Sequence, residues 1–399
     1  SDLERLSQTL ERLEILMAIF VSNRYLPRRI LLLTGCFACA AAEKHSITRL
    51  WKQSSRLISR SITQNAGDHG EHYITRDKKE YWAMFYSAAG GGVLIALMAL
   101  FKIYLGSIID DKVWKGIAEG LNYGLGFMVI FMLHFTVATK QPAMTAARFA
   151  EAVEKTPQGK SVNMKLAQLL VDVFRSQSIA VLGNVLIAMG LAALIAFGYQ
   201  YKTGEPLMNA EQIAYQLHSI DPFAGTLWFA AIAGVWLFCS GIISGYFDNR
   251  SNYLNMRMRL TQHPLLKKLM SEKSRVKFAN YMHENYGSLI GNLCFGMLLG
   301  ITGVVGYLTH LPLDIRHVAF SSANVGYIAV SGQFTYSLLL QCIGFVLLIG
   351  LVNLIVSFSL TLWVALRSLN AEIESWWPIW HEVCQIVKKI GRASCRERV

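Results

Sequence analysis

The chain has 399 residues, 53% of them hydrophobic and 16% charged, and Lys plus Arg outnumber Asp plus Glu by 38 to 26, a net charge of +12. In a soluble protein that surplus would point to nucleic acid. Here the basic residues gather in alternate loops between long apolar runs, where membrane insertion retains them, so the charge itself gives no reason to expect a nucleic-acid partner.

Residues 1–80 read as a helical cytoplasmic region, a fragment of a longer N-terminal domain. Leu3, Leu6, Leu10, Leu13 and Leu16 recur at helical spacing with Glu and Arg between them. The apolar run Ile30–Ala42 is too short to span and reads as a buried helix rather than a signal peptide. Cys36-x-x-Cys39 lies in an apolar setting without a second pair, and His69-x-x-His72 flanks Glu71 in a turn-rich segment, Asn65–Gly70. Both weigh toward structural roles, so neither a metal nor a cofactor is expected.

Six apolar stretches follow, at residues 84–105, 121–138, 179–199, 225–246, 286–308 and 338–366. Crossing about 30 Å of hydrocarbon takes roughly 20 apolar residues at 1.5 Å each. The predicted fold is therefore all-α: a polytopic membrane protein with six transmembrane helices over residues 81–370. A cytoplasmic C-terminal region begins at 371–389, and 390–399 (IGRASCRERV) looks like the translation of a sequencing adapter and is set aside. The loop 139–178 carries six basic residues and the loop 247–286 carries eight, whereas Lys202 stands alone in 200–224 and Arg316 alone in 309–337. That alternation predicts a bacterial inner-membrane protein with both ends cytoplasmic, facing anionic headgroups on that side.

The cytoplasmic loops carry helical spacing of their own, at Met144–Glu154, Lys165–Arg175 and Ser274–Asn285. The latter two are expected to run unbroken into the third and fifth spans, with Pro142 and Pro264 at helix starts. The outer loop Leu311–Phe334, rich in Val, Ile, Tyr, Ser and Gly, is predicted as a short hairpin or plug.

An internal repeat is also expected. Gly91-Gly92-Val93-Leu94-Ile95-Ala96 resembles Gly183-Asn184-Val185-Leu186-Ile187-Ala188, and Gly291-Asn292-Leu293 begins the same pattern. This predicts one hairpin recurring three times, parallel rather than inverted.

Candidate polar intramembrane residues are Asn184, Asn292, Lys102 and His134. For the asparagines, hydrogen bonding across a helix contact outweighs a polar pathway. Gly91, Gly92, Gly183, Gly287 and Gly291 accompany them as helix-packing positions, since small residues let helices approach. Lys102 lies near enough to the outer boundary to snorkel, and His134 near the inner one. Lys140 and Gln141, with Asp248, Asn249 and Arg250, sit at the cytoplasmic headgroup level as an anchor or a ligand site. No Walker loop, HExxH or GxSxG occurs, and no catalytic residue is identified.

Several segments carry a resemblance. Gly70-Glu-His-Tyr-Ile-Thr-Arg76, Ala88-Ala-Gly-Gly-Gly92, Thr139-Lys-Gln-Pro-Ala-Met-Thr-Ala-Ala147, Gly245-Tyr-Phe-Asp-Asn-Arg250 and Leu311-Pro-Leu-Asp-Ile-Arg-His317 resemble a family of bacterial membrane proteins named site-specific recombinase. That name implies DNA strand exchange, although neither a Tyr nucleophile with an Arg/His/Arg cluster nor a Ser nucleophile ringed by Arg is recognisable in a soluble domain. The expected roles are transport or membrane scaffolding, with a protein partner or a second copy of the chain possible in the latter. A membrane-tethered DNA-acting protein is the alternative.

Overall fold

The structure is a computed structural model that describes residues 78–138, 160–331, 334–369 and 375–396, with single positions and short helical stretches elsewhere. Lys140, Gln141, Pro142, the Cys36/Cys39 pair and the His69/His72 pair lie outside the described residues. Two compact units are present, Ser1–Leu57 and Ile58–Val399. In the first, Leu6, Leu10, Leu13 and Met17 are helical and exposed.

In the second unit the helices are α1 (Lys78–Ile108), α2 (Lys112–Met132), α3 (Lys160–Thr203), α4 (Ala210–Ile220), α5 (Thr226–Tyr253), α6 (Met256–Gln262), α7 (Pro264–Leu269), α8 (Glu272–Thr309), α9 (Val318–Ala329), α10 (Tyr336–Leu369) and α11 (Trp376–Arg396). No strand occurs among the described residues. Helices α1, α3, α5, α8 and α10 are long and apolar enough to cross a membrane. Leu186, Leu194 and Phe197 on α3 and Leu347, Leu351 and Ile355 on α10 point out of the bundle. Water would penalise that much exposed apolar surface, whereas lipid tails solvate it. As the loop periodicity predicts, α3 and α8 run unbroken through 44 and 38 residues. Pro264 sits in the first turn of α7, where its missing N–H costs nothing.

Three expectations require correction. The stretch 121–138 is not one helix: α2 begins nine residues earlier, at Lys112, where Asp111 caps the N–H groups of Val113 and Trp114 at 2.9 Å, and it ends at Met132. Lys112, Lys115 and Glu119 enter its first turns, and α2 is not among the five helices apolar enough to span. Beyond it His134 takes a left-handed backbone (φ 58°) and residues 135–137 have no regular secondary structure. Second, Leu311–Phe334 is not a hairpin. It contains α9, a 12-residue helix buried almost throughout. Its β-branched content reads as strand, but a helix buried on every side has no polar face to reveal its period. Ala, Ser and Gly let it wedge between its neighbours: Gly326 lies against the Met189 carbonyl and Ala192 of α3, and Tyr327 Oη donates to the Ala96 carbonyl of α1 at 2.8 Å.

Third, the internal correspondence is not three parallel hairpins: α1 packs along α2, but neither α3 with α5 nor α8 with α10 packs together in this way. Contacts along the helices give their directions. Residues 88 and 92 of α1 meet 183–184 and 188 of α3, so these run parallel, as do α5 and α10 through 230/353 and 234/356. Gly116, Gly120 and Gly124 of α2 meet Val304, Gly300 and Gly296 of α8, so that pair is antiparallel. Lys102–Glu119 and Asp248–Gly287 make α1–α2 and α5–α8 antiparallel as well. The triplets α1–α2–α3 (up, down, up) and α5–α8–α10 (down, up, down) repeat the same pairings, first helix parallel to third and antiparallel to second, in opposite directions: an inverted repeat.

Candidate functional site

The inverted repeat is fixed by two asparagines that make the same bonds. In the first triplet the segment after α2 crosses α1, where Thr136 N–H donates to the Ser87 carbonyl at 3.2 Å. Asn184 of α3 closes the arrangement. Its Oδ1 accepts from Ala138 N–H at 2.9 Å, and its Nδ2 donates to the carbonyls of Thr136 at 2.9 Å and Ala88 at 2.5 Å. In the second triplet the segment after α8 crosses α5, and Arg316 N–H donates to the Phe229 carbonyl at 3.2 Å. Asn353 of α10 accepts from Val318 N–H at 3.2 Å and donates to the carbonyls of Arg316 at 3.0 Å and Ala230 at 2.7 Å. Each asparagine thus ties three elements together and satisfies two buried peptide groups that no helix pairs, a carbonyl of the crossing segment and the N–H two residues on, where helix begins again.

The glycines read from the sequence make room for these crossings. A side chain on Gly90 would strike the Phe135 ring, one on Gly91 would press on the Thr136 carbonyl at 2.5 Å, and one on Gly92 on the Asn184 carbonyl at 2.9 Å. Gly183 packs on Phe85 and Ala88, and Gly287 and Gly291 pack on α5 at Ser240, Ser244 and Asp248. Asn292 is not the counterpart of Asn184. It is buried in α8 and its Nδ2 donates to the Ser288 carbonyl of its own helix at 2.8 Å. His134 lies past the end of α2, where its carbonyl accepts from Ser87 Oγ at 3.1 Å. Asp248 accepts from Gly287 N–H at 2.8 Å and so clamps α5 to α8; Asn249 is half-buried and Arg250 exposed in the last turn of α5.

Lys102 has its partners on the neighbouring helix. It turns onto α2, with Nζ 3.3 Å from Glu119 Oε2 and 5.7 Å from the centroid of the Tyr123 ring. These three line a cavity of about 550 Å³ bounded by α1, α2, α4, the segment Asp314–His317 and the first turns of α9. Across it Arg316 Nη1 meets Asp314 Oδ2 at 2.6 Å, Arg316 Nε donates to the Ser219 carbonyl at 2.7 Å, and the guanidinium lies 5.3 Å from the Phe229 ring centroid. His317 is buried behind it, among Phe127, Phe295 and Phe320. In the linear order Lys102 stands alone within its apolar run, Glu119 lies outside every apolar window, and Asp314 and Arg316 fall in the outer loop, so nothing in the sequence joins them.

A second cavity, of about 740 Å³ between α3, α10 and α11, is walled by Phe174, Leu362, Trp363, Trp376 and Trp380 and carries almost no polar group.

A family model described as "Site-specific recombinase" matches residues 1–392 of the chain. Neither a curated protein nor a solved structure matches it.

Proposed function

The chain belongs to the site-specific recombinase family, and from that premise we propose that it is an integral membrane protein of transport type. In this reading it crosses the bacterial inner membrane six times, with α2 as the sixth crossing and both ends in the cytosol. The alternation of basic loops supports that orientation. The observation that carries the reading is the inverted repeat itself, pinned by Asn184 and Asn353, around a charged cavity at the outer end. Inverted repeats underlie many secondary transporters, because two halves of opposite direction can exchange conformations and so open a central site to either side. The halves here differ in the way such exchange requires. Between α1 and α2 long side chains hold the helices apart, Lys102 reaching Glu119 and Met98 reaching Gly126. At the opposite end α5 and α8 meet backbone to backbone, with Gly287 against Ser244 and its N–H on Asp248. One crevice is open and its counterpart is shut.

Asn324 is a half-buried wall residue of the cavity, suited to a test. A single cysteine placed there by Asn324→Cys, in a background whose other cysteines are replaced, is expected to react with a membrane-impermeant maleimide from the outer face. It is also expected to react from the inner face in inverted vesicles, as the protein cycles. Reaction from one face only would favour the scaffold role.

A second reading keeps to the literal sense of the family name. Arg257, Arg259, Lys267, Lys268 and Lys273 are exposed on α6, α7 and the start of α8. They could meet either phosphodiester backbone or anionic lipid headgroups. If DNA is the partner, purified protein shifts a duplex at about 50 mM salt and loses it steeply as salt rises. No shift at the lower salt removes the DNA reading.

A further inference from the structure

The cavity between α1, α2, α4 and α9 is bipolar. Its charged wall residues are Lys102, Lys115 and Arg316 against Glu119, Glu211 and Asp314, three of each sign. A site for a simple anion or cation carries a surplus of the opposite charge, because desolvating a lone ion is otherwise unfavourable. This one has no surplus. The two ion pairs are also unequally exposed. In the first, Lys102 is 36% exposed and Glu119 14%; in the second, Asp314 is 35% exposed and Arg316 14%. The open member of one pair is a cation and the open member of the other an anion. Each remains in place when a ligand approaches because its partner holds it from behind, and Arg316 is further fixed by the Ser219 and Ile315 carbonyls.

We propose that this cavity binds a small zwitterionic solute, with its anionic group at Lys102 and its cationic group at Asp314. Entry of such a molecule adds one charge of each sign to an already neutral set, and each meets an open partner. A volume of about 550 Å³ admits a molecule of amino-acid to dipeptide size with room for water. The proposal deepens the transport reading by naming the class of solute, and it rests on that reading only for what happens after binding.

The test uses the full chain in proteoliposomes, with the Asn324→Cys variant described above. L-Alanine, γ-aminobutyrate and glycylglycine serve as zwitterions; propionate and propylamine carry one charge each. With a ligand at about tenfold its Kd, alkylation is expected to slow about tenfold, and about 10 mM reaches that level for millimolar binding. At least one zwitterion should protect to this degree, neither single-charge analogue should, and Lys102→Gln and Asp314→Asn should each abolish protection while the variants still unfold in a single cooperative transition. Zwitterion-induced thermal stabilisation of the unsubstituted protein gives the same answer independently of cysteine replacement. The proposal is overturned if no zwitterion protects or stabilises, if propionate or propylamine does so equally, or if protection survives both substitutions. The two readings separate cleanly. Two-sided accessibility without protection leaves transport standing and removes the zwitterion; protection with access from one face only does the reverse.

Discussion

Replacing Asn184 by alanine is expected to destabilise the bundle by about 3 kcal/mol, and Asn353→Ala by a similar amount. Polar contacts between membrane helices average only about 0.6 kcal/mol, because the unfolded helix in lipid finds other partners. Asn184 is a different case. Two of its three bonds serve the N–H of Ala138 and the carbonyl of Thr136, in a segment with no helical ladder of its own to fall back on. A buried peptide group left unpaired costs about 1–3 kcal/mol, and here two are exposed at once. The third bond, to Ala88, goes to a carbonyl inside a helix that already serves its own ladder, and its loss adds little. Asn292→Ala is the control. Its Nδ2 donates to a carbonyl one turn back along α8 that already serves the helical ladder, so a smaller loss than at Asn184 is expected. Denaturant midpoints in a single detergent check the order. Equal losses at Asn184 and Asn292 would remove the distinction between a staple and an ordinary buried asparagine. A loss at Asn184 far from that at Asn353 would remove the equivalence of the two triplets.

The same residues show what could and could not be read from the linear chain. Helix type and the five apolar spans were legible, because lipid imposes a length and a composition on each segment separately. The extension of α3 and α8 beyond the apolar windows was legible from spacing. Glycine in a span points to close approach only as a class, and Gly91, Gly92, Gly183, Gly287 and Gly291 each lie where a side chain would press on a neighbouring element. The repeat was not. Similarity between Gly183-Asn184-Val185 and Gly291-Asn292-Leu293 reflects a small apolar alphabet, whereas the true partner of Asn184 is Asn353, whose neighbours Val352 and Leu354 share nothing distinctive with Gly183 and Val185. What the two asparagines have in common is a set of backbone partners, and backbone partners leave no mark on side-chain identity. The charged cavity escaped notice for a related reason. Apart from Lys102, its acids and bases come from the start of α2, from α4 and from the segment before α9, regions that hydropathy assigns to loops.

The family name and the architecture pull in different directions, and the basic surface is where they meet. Its exposed cations lie on α6, α7 and the start of α8, short elements joined by turns rather than a domain with its own core. Sequence-specific duplex recognition buries roughly 1,000 Å² or more of protein and places side chains at base edges. Charge on short surface helices instead supports contact with phosphates in general, which lipid headgroups satisfy as well as DNA. The cavity, by contrast, requires six distant residues from four elements to converge, and such convergence is the stronger sign of selected function.

The crossing of α2 and α8 is expected to be the least tolerant place in the molecule. Gly296 lies against the backbone of Gly124, and Gly300 against the Cα of Gly120 and the carbonyl of Gly116. Each contact is backbone on backbone, so no flexible side chain can move aside to admit a new one. Gly300→Val must separate two helices that join the triplets, and the expected loss exceeds about 4 kcal/mol, enough to abolish a monodisperse folded species. The partner residue behaves differently. A methyl group on Gly120 would meet Met297 and Gly300 at 3.4–3.5 Å, which is ordinary contact, so Gly120→Ala should stay within about 1 kcal/mol of the parent although it lies in the same crossing. Gly198 and Gly344 have open space where a side chain would go, and alanine at either should be neutral or gain up to about 1 kcal/mol from helix propensity. Size-exclusion profiles and unfolding midpoints of the four variants give the comparison. If Gly300→Val folds like Gly344→Ala, α2 and α8 do not touch through glycine, and the two triplets are held together by something other than this seam.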